Sequence, residues 1–110
     1  MKLELTEKTA EMLDRRYPIL KKIADSIYNV TGVTLDDMRS QSRLAIYIEA
    51  RVCFWKLAKN NVQPLYIGST YINREHSCSK NWDKYYENAM KYNTLFSDLF
   101  LDVEQEFKKI

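Results

Sequence analysis

With two glycines and two prolines in 110 residues, this chain has few places for a tight turn. All-β domains are punctuated by turn residues, so the scarcity points to long helices joined at few corners. It also excludes a glycine-rich phosphate loop ahead of a Lys-Ser/Thr pair, and no nucleotide site of that kind is readable. Two cysteines, Cys53 and Cys78, do not make a disulfide framework, which suits a reducing cytosol. No uninterrupted apolar run approaches the roughly 20 residues of a membrane span. The start, Met1-Lys2-Leu3-Glu4-Leu5-Thr6-Glu7-Lys8, has no apolar stretch of the secretory kind. The expectation is a cytoplasmic protein without a membrane partner. His76 and Cys78 lack two further ligands at usable spacing, so neither a metal nor another cofactor is expected.

Hydrophobic residues make up 45% of the chain, which argues against disorder and for one domain, 1–110, around one modest core. The formal net charge is +2. Basic against acidic residues number six to five in 1–30, five to three in 31–67, four to three in 68–92, and two to four in 93–110. The positive excess therefore sits mid-chain and the tail is acidic. A strong non-specific nucleic-acid binder carries a larger basic excess. A small sequence reader with local basic contacts fits this balance.

Along the chain, Leu13, Tyr17, Leu20, Ala24 and Ile27 recur at helical spacing, joined by Ile23 and Tyr28. Pro18 falls inside this pattern and predicts either a kink or a short helix followed by one starting near Pro18. In the second case residues 1–17 form an extra N-terminal helix. Gly32 is placed as a stop, and Thr34-Leu35-Asp36-Asp37 as a capping box opening a short helical turn. Leu44 to Lys59 carries a wide apolar arc and is expected to be the central buried helix. Pro64 is placed as the first residue of another helix, with Gly68 letting a second helix cross closely. Asn73 marks a turn because asparagine tolerates the left-handed conformation. Phe96, Leu99, Phe100, Val103, Phe107 and Ile110 stripe a last amphipathic helix. The expected class is all-α, with about six helices.

One stretch concentrates versatile side chains: Ile72-Asn73-Arg74-Glu75-His76-Ser77-Cys78, after the apolar Pro64–Tyr71 segment. A short helix, a tight turn, then a helix opening with Arg, an acid, His and hydroxyls is how a helix-turn-helix reads DNA. Each of these groups hydrogen-bonds base edges or phosphates. The candidate helix-turn-helix spans about 64–92, with its second helix beginning near Arg74. Lys80 and Lys84, four apart, share one edge of it.

Several short motifs then occur in a telling order: Gly32-Val33-Thr34-Leu35-Asp36-Asp37-Met38, Ser40-Gln41-Ser42-Arg43, Ala50-Arg51, Ile67-Gly68 and Arg74-Glu75-His76-Ser77. This order resembles the C-terminal DNA-binding domain of the bacterial replication initiator DnaA, over about residues 19 to 110. The resemblance implies a Trp-repressor-like helical domain that binds double-stranded DNA boxes. A recognition helix would sit in the major groove and a basic loop in the neighbouring minor groove. By position, Arg74, Glu75, His76 and Ser77 fall on the signature, Arg43 on the basic loop and Arg51 on the helix arginine. Lys80 and Lys84 would hold phosphates. Glu75 stands where the family has Asp, Asn73 where it has Gly, and Cys78-Ser79 where it has Thr-Val. Gln41, Leu44 and Ala45 replace residues that are often basic there. The family's ATPase domain is missing from these 110 residues, so the chain resembles a stand-alone relative of the kind a phage or mobile element carries. Duplex DNA is the implied partner, a replication protein a second one to consider, and the nucleoid the implied place.

Plainer readings stand beside these. Glu75 is explained by the helix dipole alone. Arg43 and Arg51 also read as solvated helix-end charges, and Lys80 and Lys84 as a solvated face with Asp83 and Glu87. Trp82, Tyr85 and Tyr86 read as packing residues, since no aromatic-basic sheet pattern contains them. An adaptor that kept the fold and lost DNA binding suits the thin basic loop and acidic tail. A minor enzymatic reading comes from Leu65-Tyr66-Ile67-Gly68-Ser69-Thr70, which resembles the second half of the GIY-YIG nuclease signature. That family needs the first half on a neighbouring strand, and Ile46-Tyr47-Ile48 sits in a helical pattern. The chain is therefore expected not to be an enzyme.

Overall fold

Helices start and stop where the side chains supply caps. A computed structural model describes residues 5–109 of the chain. Helix α1 spans Glu7–Arg16, and the Thr6 hydroxyl accepts from the Thr9 N–H at 3.1 Å. The chain leaves helical geometry at Tyr17, and α2 (Pro18–Thr31) restarts with Pro18 in its first turn, where a missing N–H costs nothing. Pro18 thus divides two helices and does not kink one. Residues 1–4 of the expected N-terminal helix lie outside the described residues. Gly32 ends α2 at φ +78°, and its N–H donates to the Tyr28 carbonyl at 2.8 Å.

Helix α3 (Leu35–Arg39) opens with the expected capping box. The Asp37 N–H donates to the Thr34 hydroxyl and the Thr34 N–H to the Asp37 carboxylate, each at 3.0 Å. Helix α4 spans Ala45–Asn61 and α5 Tyr66–Tyr71. A 3-10 turn at His76–Cys78 leads into α6 (Ser79–Tyr92), and α7 spans Thr94–Lys108. The Asn93 side chain caps α7, accepting from the Phe96 N–H at 3.1 Å. The described residues form seven α-helices and no strand, where about six helices were expected. The division at Tyr17-Pro18 accounts for the extra one. Among the described residues there is thus no small sheet of the kind the nuclease reading requires.

Helix α4 is the centre. Ala50 through Trp55, Leu57 and Ala58 are buried on nearly its whole circumference, which is the wide apolar arc seen in the sequence. It touches α2, α3, α5, α6 and α7. Helix α2 also lies along α7, burying Leu20, Ile23, Ala24 and Ile27 on one side and Phe96, Phe100, Val103 and Phe107 on the other. Ile110, expected at the end of that stripe, lies outside the described residues. Tyr28 leaves its expected stripe and is 52% exposed. Trp82, Tyr85 and Tyr86 pack as expected: Trp82 lies 5.6 Å from Trp55, and Tyr86 meets Phe100 edge-on at 5.0 Å. Tyr85 meets Phe96 edge-on at 5.5 Å.

Pro64 does not begin α5. It follows a cis Gln63–Pro64 bond, and its carbonyl accepts from Ile67, so the helix starts two residues later. Gly68 does permit a close crossing. A Cβ there would stand 2.9 Å from the Ala58 Cβ on α4, inside any real carbon contact. Gly68→Ala is therefore expected to destabilise the fold by about 1–3 kcal/mol, read from the urea midpoint. Cys53 is buried and its thiol is pushed up to about 12, by burial first and then by Glu49, while Cys78 is half-buried. Alkylation followed by mass spectrometry should label only Cys78 in the native protein, and Cys53 only after unfolding.

Candidate functional site

The segment singled out in the sequence is held by backbone bonds before its side chains come into play. Asn73 takes φ 59°, its N–H donates to the Thr70 carbonyl, and the Arg74 N–H reaches back to the Ser69 carbonyl, both at 2.9 Å. These two bonds around a left-handed residue are a Schellman stop for α5. Asparagine fills the left-handed position, as its tolerance for that conformation suggests. Glu75 is extended, and the chain re-enters helical geometry only at His76. The second helix of the pair therefore begins at Ser79 behind a 3-10 turn, five residues later than expected. Arg74 and Glu75 precede it.

The arginines divide by burial. Arg51 on α4 is 4% exposed. Its Nε donates to the Met38 carbonyl at 2.9 Å, and its Nη2 to the Ser40 carbonyl at 3.0 Å and the Asp37 carbonyl at 3.3 Å. Those carbonyls are the ones a helix leaves unsatisfied at its C-terminal end. Arg51 was expected on DNA; its donors instead fasten α3 to α4. Arg74 folds the same way. Its Nη1 donates to the Asn73 carbonyl at 3.0 Å, and its Nη2 forms a short bond to the Ser40 carbonyl. Arg39, which the sequence did not mark, completes the group. Its Nε donates to the Tyr71 carbonyl at 2.8 Å, and its guanidinium lies 4.7 Å from the Tyr71 ring centre. Tyr71 in turn donates to Asp14 of α1 at 2.5 Å. Burial first, then this bond, pushes the Tyr71 phenol well above its ordinary range.

Arg43 is exposed on the loop before α4, and among the described residues it has no hydrogen bond or ion pair. Glu75, His76, Ser77, Lys80 and Lys84 are also exposed. His76 meets the edge of Trp55 at 5.9 Å between ring centres. Asp83, weighed as a partner of Lys80 and Lys84 in a solvated face, turns instead to α4. It accepts from Trp55 Nε1 at 2.9 Å and from Lys59 at 3.2 Å. That leaves the outer face of α6 to Lys80, Asn81, Lys84, Asn88 and Lys91, spaced by three and four residues, with Glu87 at its edge. Asn81 and Asn88 were not singled out, since an amide on a polar helix gives no signal in sequence.

The site residues thus fall into two groups. Arg43, Arg51 and Arg74 meet around one cleft, beside the loop from Arg39 to Leu44. Lys80 and Lys84 lie along α6, with His76 and Ser77 in the 3-10 turn at its entry. No protein-family model, curated protein or solved structure matches the chain.

Arg51→Met would leave the Met38 carbonyl without its side-chain donor and take one of two donors from the Ser40 carbonyl. It should cost about 1–3 kcal/mol in chemical denaturation, whereas the exposed Arg43→Ala should stay within about 0.5 kcal/mol of wild type. The Asp37 carboxyl is held below its ordinary value of 3.8, chiefly by the Thr34 backbone N–H, against a counteracting burial and with help from the Thr34 and Tyr47 hydroxyls. A carboxyl lowered in the folded state stabilises at neutral pH, and that contribution is lost as pH falls through its folded value. Urea midpoints of wild type and Asp37→Asn should therefore differ at pH 7 and converge in acid, with the loss beginning near pH 3.8.

Proposed function

We propose that this protein binds duplex DNA in a sequence-dependent way, through a helix-turn-helix made of α5, the Ile72-Asn73 turn and α6. The observation that carries the reading is the outer face of α6. Three lysines and two asparagines line it, the exposed Glu87 stands at its edge, and Asp83 is turned away into a bond with Trp55. A helix presenting amides and cations suits a groove lined with base-edge acceptors and flanked by phosphates. His76 and Ser77 stand exposed where α6 begins, the end from which such helices contact bases.

Roles follow from exposure. His76, Ser77, Asn81 and Glu75 would meet base edges, while Lys80, Lys84 and Lys91 would hold phosphates. Arg43 would reach the backbone or the minor groove from its loop. Arg51 and Arg74 would act as positioning residues, holding that loop in place. The motif order shared with the DnaA DNA-binding domain supports replication-origin boxes, or sites derived from them, as the targets. Initiation of replication or its regulation in a bacterium or phage would be the process.

A second reading has its own support. Tyr92 and Leu95, at the corner between α6 and α7, are each 83% exposed, and Leu101 on α7 is 44% exposed. Apolar surface on the last helix suits an adaptor that uses the fold for a protein contact.

Selection from random duplex DNA at moderate salt separates the two. A recovered motif should be bound less tightly by His76→Ala, by about 1–3 kcal/mol and with relaxed preference at one position. Lys84→Ala should weaken all sequences alike and reduce the salt slope by about one. Sequence preference that survives His76→Ala would sink the recognition-helix assignment. No enrichment at all would favour the adaptor.

A further inference from the structure

Between the loop 40–44, α4 and the first turns of α6 lies an open cleft of about 450 Å³. Arg43, Arg51 and Arg74 line it together with Gln41, Asn81 and Trp82, and none of its lining residues is acidic. Three guanidiniums in one concavity without a carboxylate is an unusual balance, because buried or half-buried cations are ordinarily paired. The Ser40 carbonyl takes donors from both Arg51 and Arg74. Carbonyl dipoles orient these groups but cancel none of their charge.

Like charge adds to burial in holding two of these groups below their ordinary range. Arg51 is pushed below its ordinary range by burial and then by Arg74. Arg74 is lowered by burial, helped back by Cys78, and lowered again by Arg43. An anion entering the cleft would relieve both. A carboxylate brings one negative charge to three cations, whereas a phosphate monoester brings about 1.5 to 2 at neutral pH, with three acceptor oxygens. The planar fork of Arg43 matches phosphate oxygens pairwise, while Arg51 and Arg74, whose forks are held by backbone carbonyls, contribute chiefly their charge. Gln41 and Asn81 add neutral donors, and the volume leaves room for a group attached to the phosphate.

We propose that the cleft walled by Arg43, Arg51 and Arg74 is a binding site for a phosphate monoester. The monoester has two sources: a small phosphorylated molecule such as a mononucleotide, or the 5′-phosphorylated end of a nucleic acid. The site shares only Asn81 with the outer face of α6 and does not rest on major-groove reading.

The test begins with inorganic phosphate at low ionic strength, followed through the arginine side-chain NMR signals and the Trp82 indole. Saturable shifts at Arg43 and Arg74 are expected, weakening in acid as the second proton returns to phosphate. Arg43→Gln removes an exposed cation that supports no fold contact, and it should weaken binding at least about fivefold. Displacement of phosphate by adenosine monophosphate would assign the small-molecule source. Displacement by a 5′-phosphorylated oligonucleotide but not by its 5′-hydroxyl twin would assign the nucleic-acid end. Shifts that never saturate, binding unchanged in Arg43→Gln, or equal displacement by both oligonucleotides would overturn the proposal. Duplex binding by the α6 variants is measured separately, so either reading can fail alone.

Discussion

The Arg51 guanidinium, sunk between α3 and α4, is the interaction on which the rest of the candidate site depends. Helix α3 has five residues, too few to satisfy its own terminal carbonyls or to stand without support. Arg51 takes the carbonyls of Asp37, Met38 and Ser40 in one planar fork, and Arg74 returns from the far side to the Ser40 carbonyl. The chain before α4 and the chain before α6 are thereby tied to one point.

A second constraint sets the height of α6. Gly68 lets α5 lie against Ala58 of α4, and Tyr71 at the end of α5 stacks on Phe54 at 5.8 Å while bonding Asp14 of α1. The left-handed Asn73 then turns the chain, and Asp83 anchors α6 through Trp55 and Lys59. Each acidic group that might have screened the lysine face of α6 from an anion is either at its edge or committed to α4. Local satisfaction of a buried indole N–H has thus left the outer face of α6 basic, although the whole chain carries a formal charge of only +2.

Much of the fold was legible one residue at a time. Gly32, the Thr34–Asp37 box, Pro18, Asn73 and the Phe96–Phe107 stripe act through backbone sterics or helical period, which are local properties. The class and most helix boundaries follow from them. Pro64 misled because a proline before a helix and a proline inside its first turn look alike in sequence. The start of α6 misled because nothing local distinguishes a 3-10 turn from a helix, and the folded-back Arg74 owes its position to a carbonyl 34 residues away.

The sequence marked Arg43, Arg51 and Arg74 but not Arg39, Asn81 or Asn88, and it did not show which arginines are buried. Residue types and spacing by themselves determined an all-helical chain with a turn at Asn73 and a polar helix after it, since propensity and periodicity are written in neighbouring residues. Only the tertiary structure decided that Arg51 and Arg74 face inward to carbonyls while Arg43, His76 and Lys84 face water. An arginine has the same donors wherever it stands, and which acceptors reach it depends on how distant helices pack.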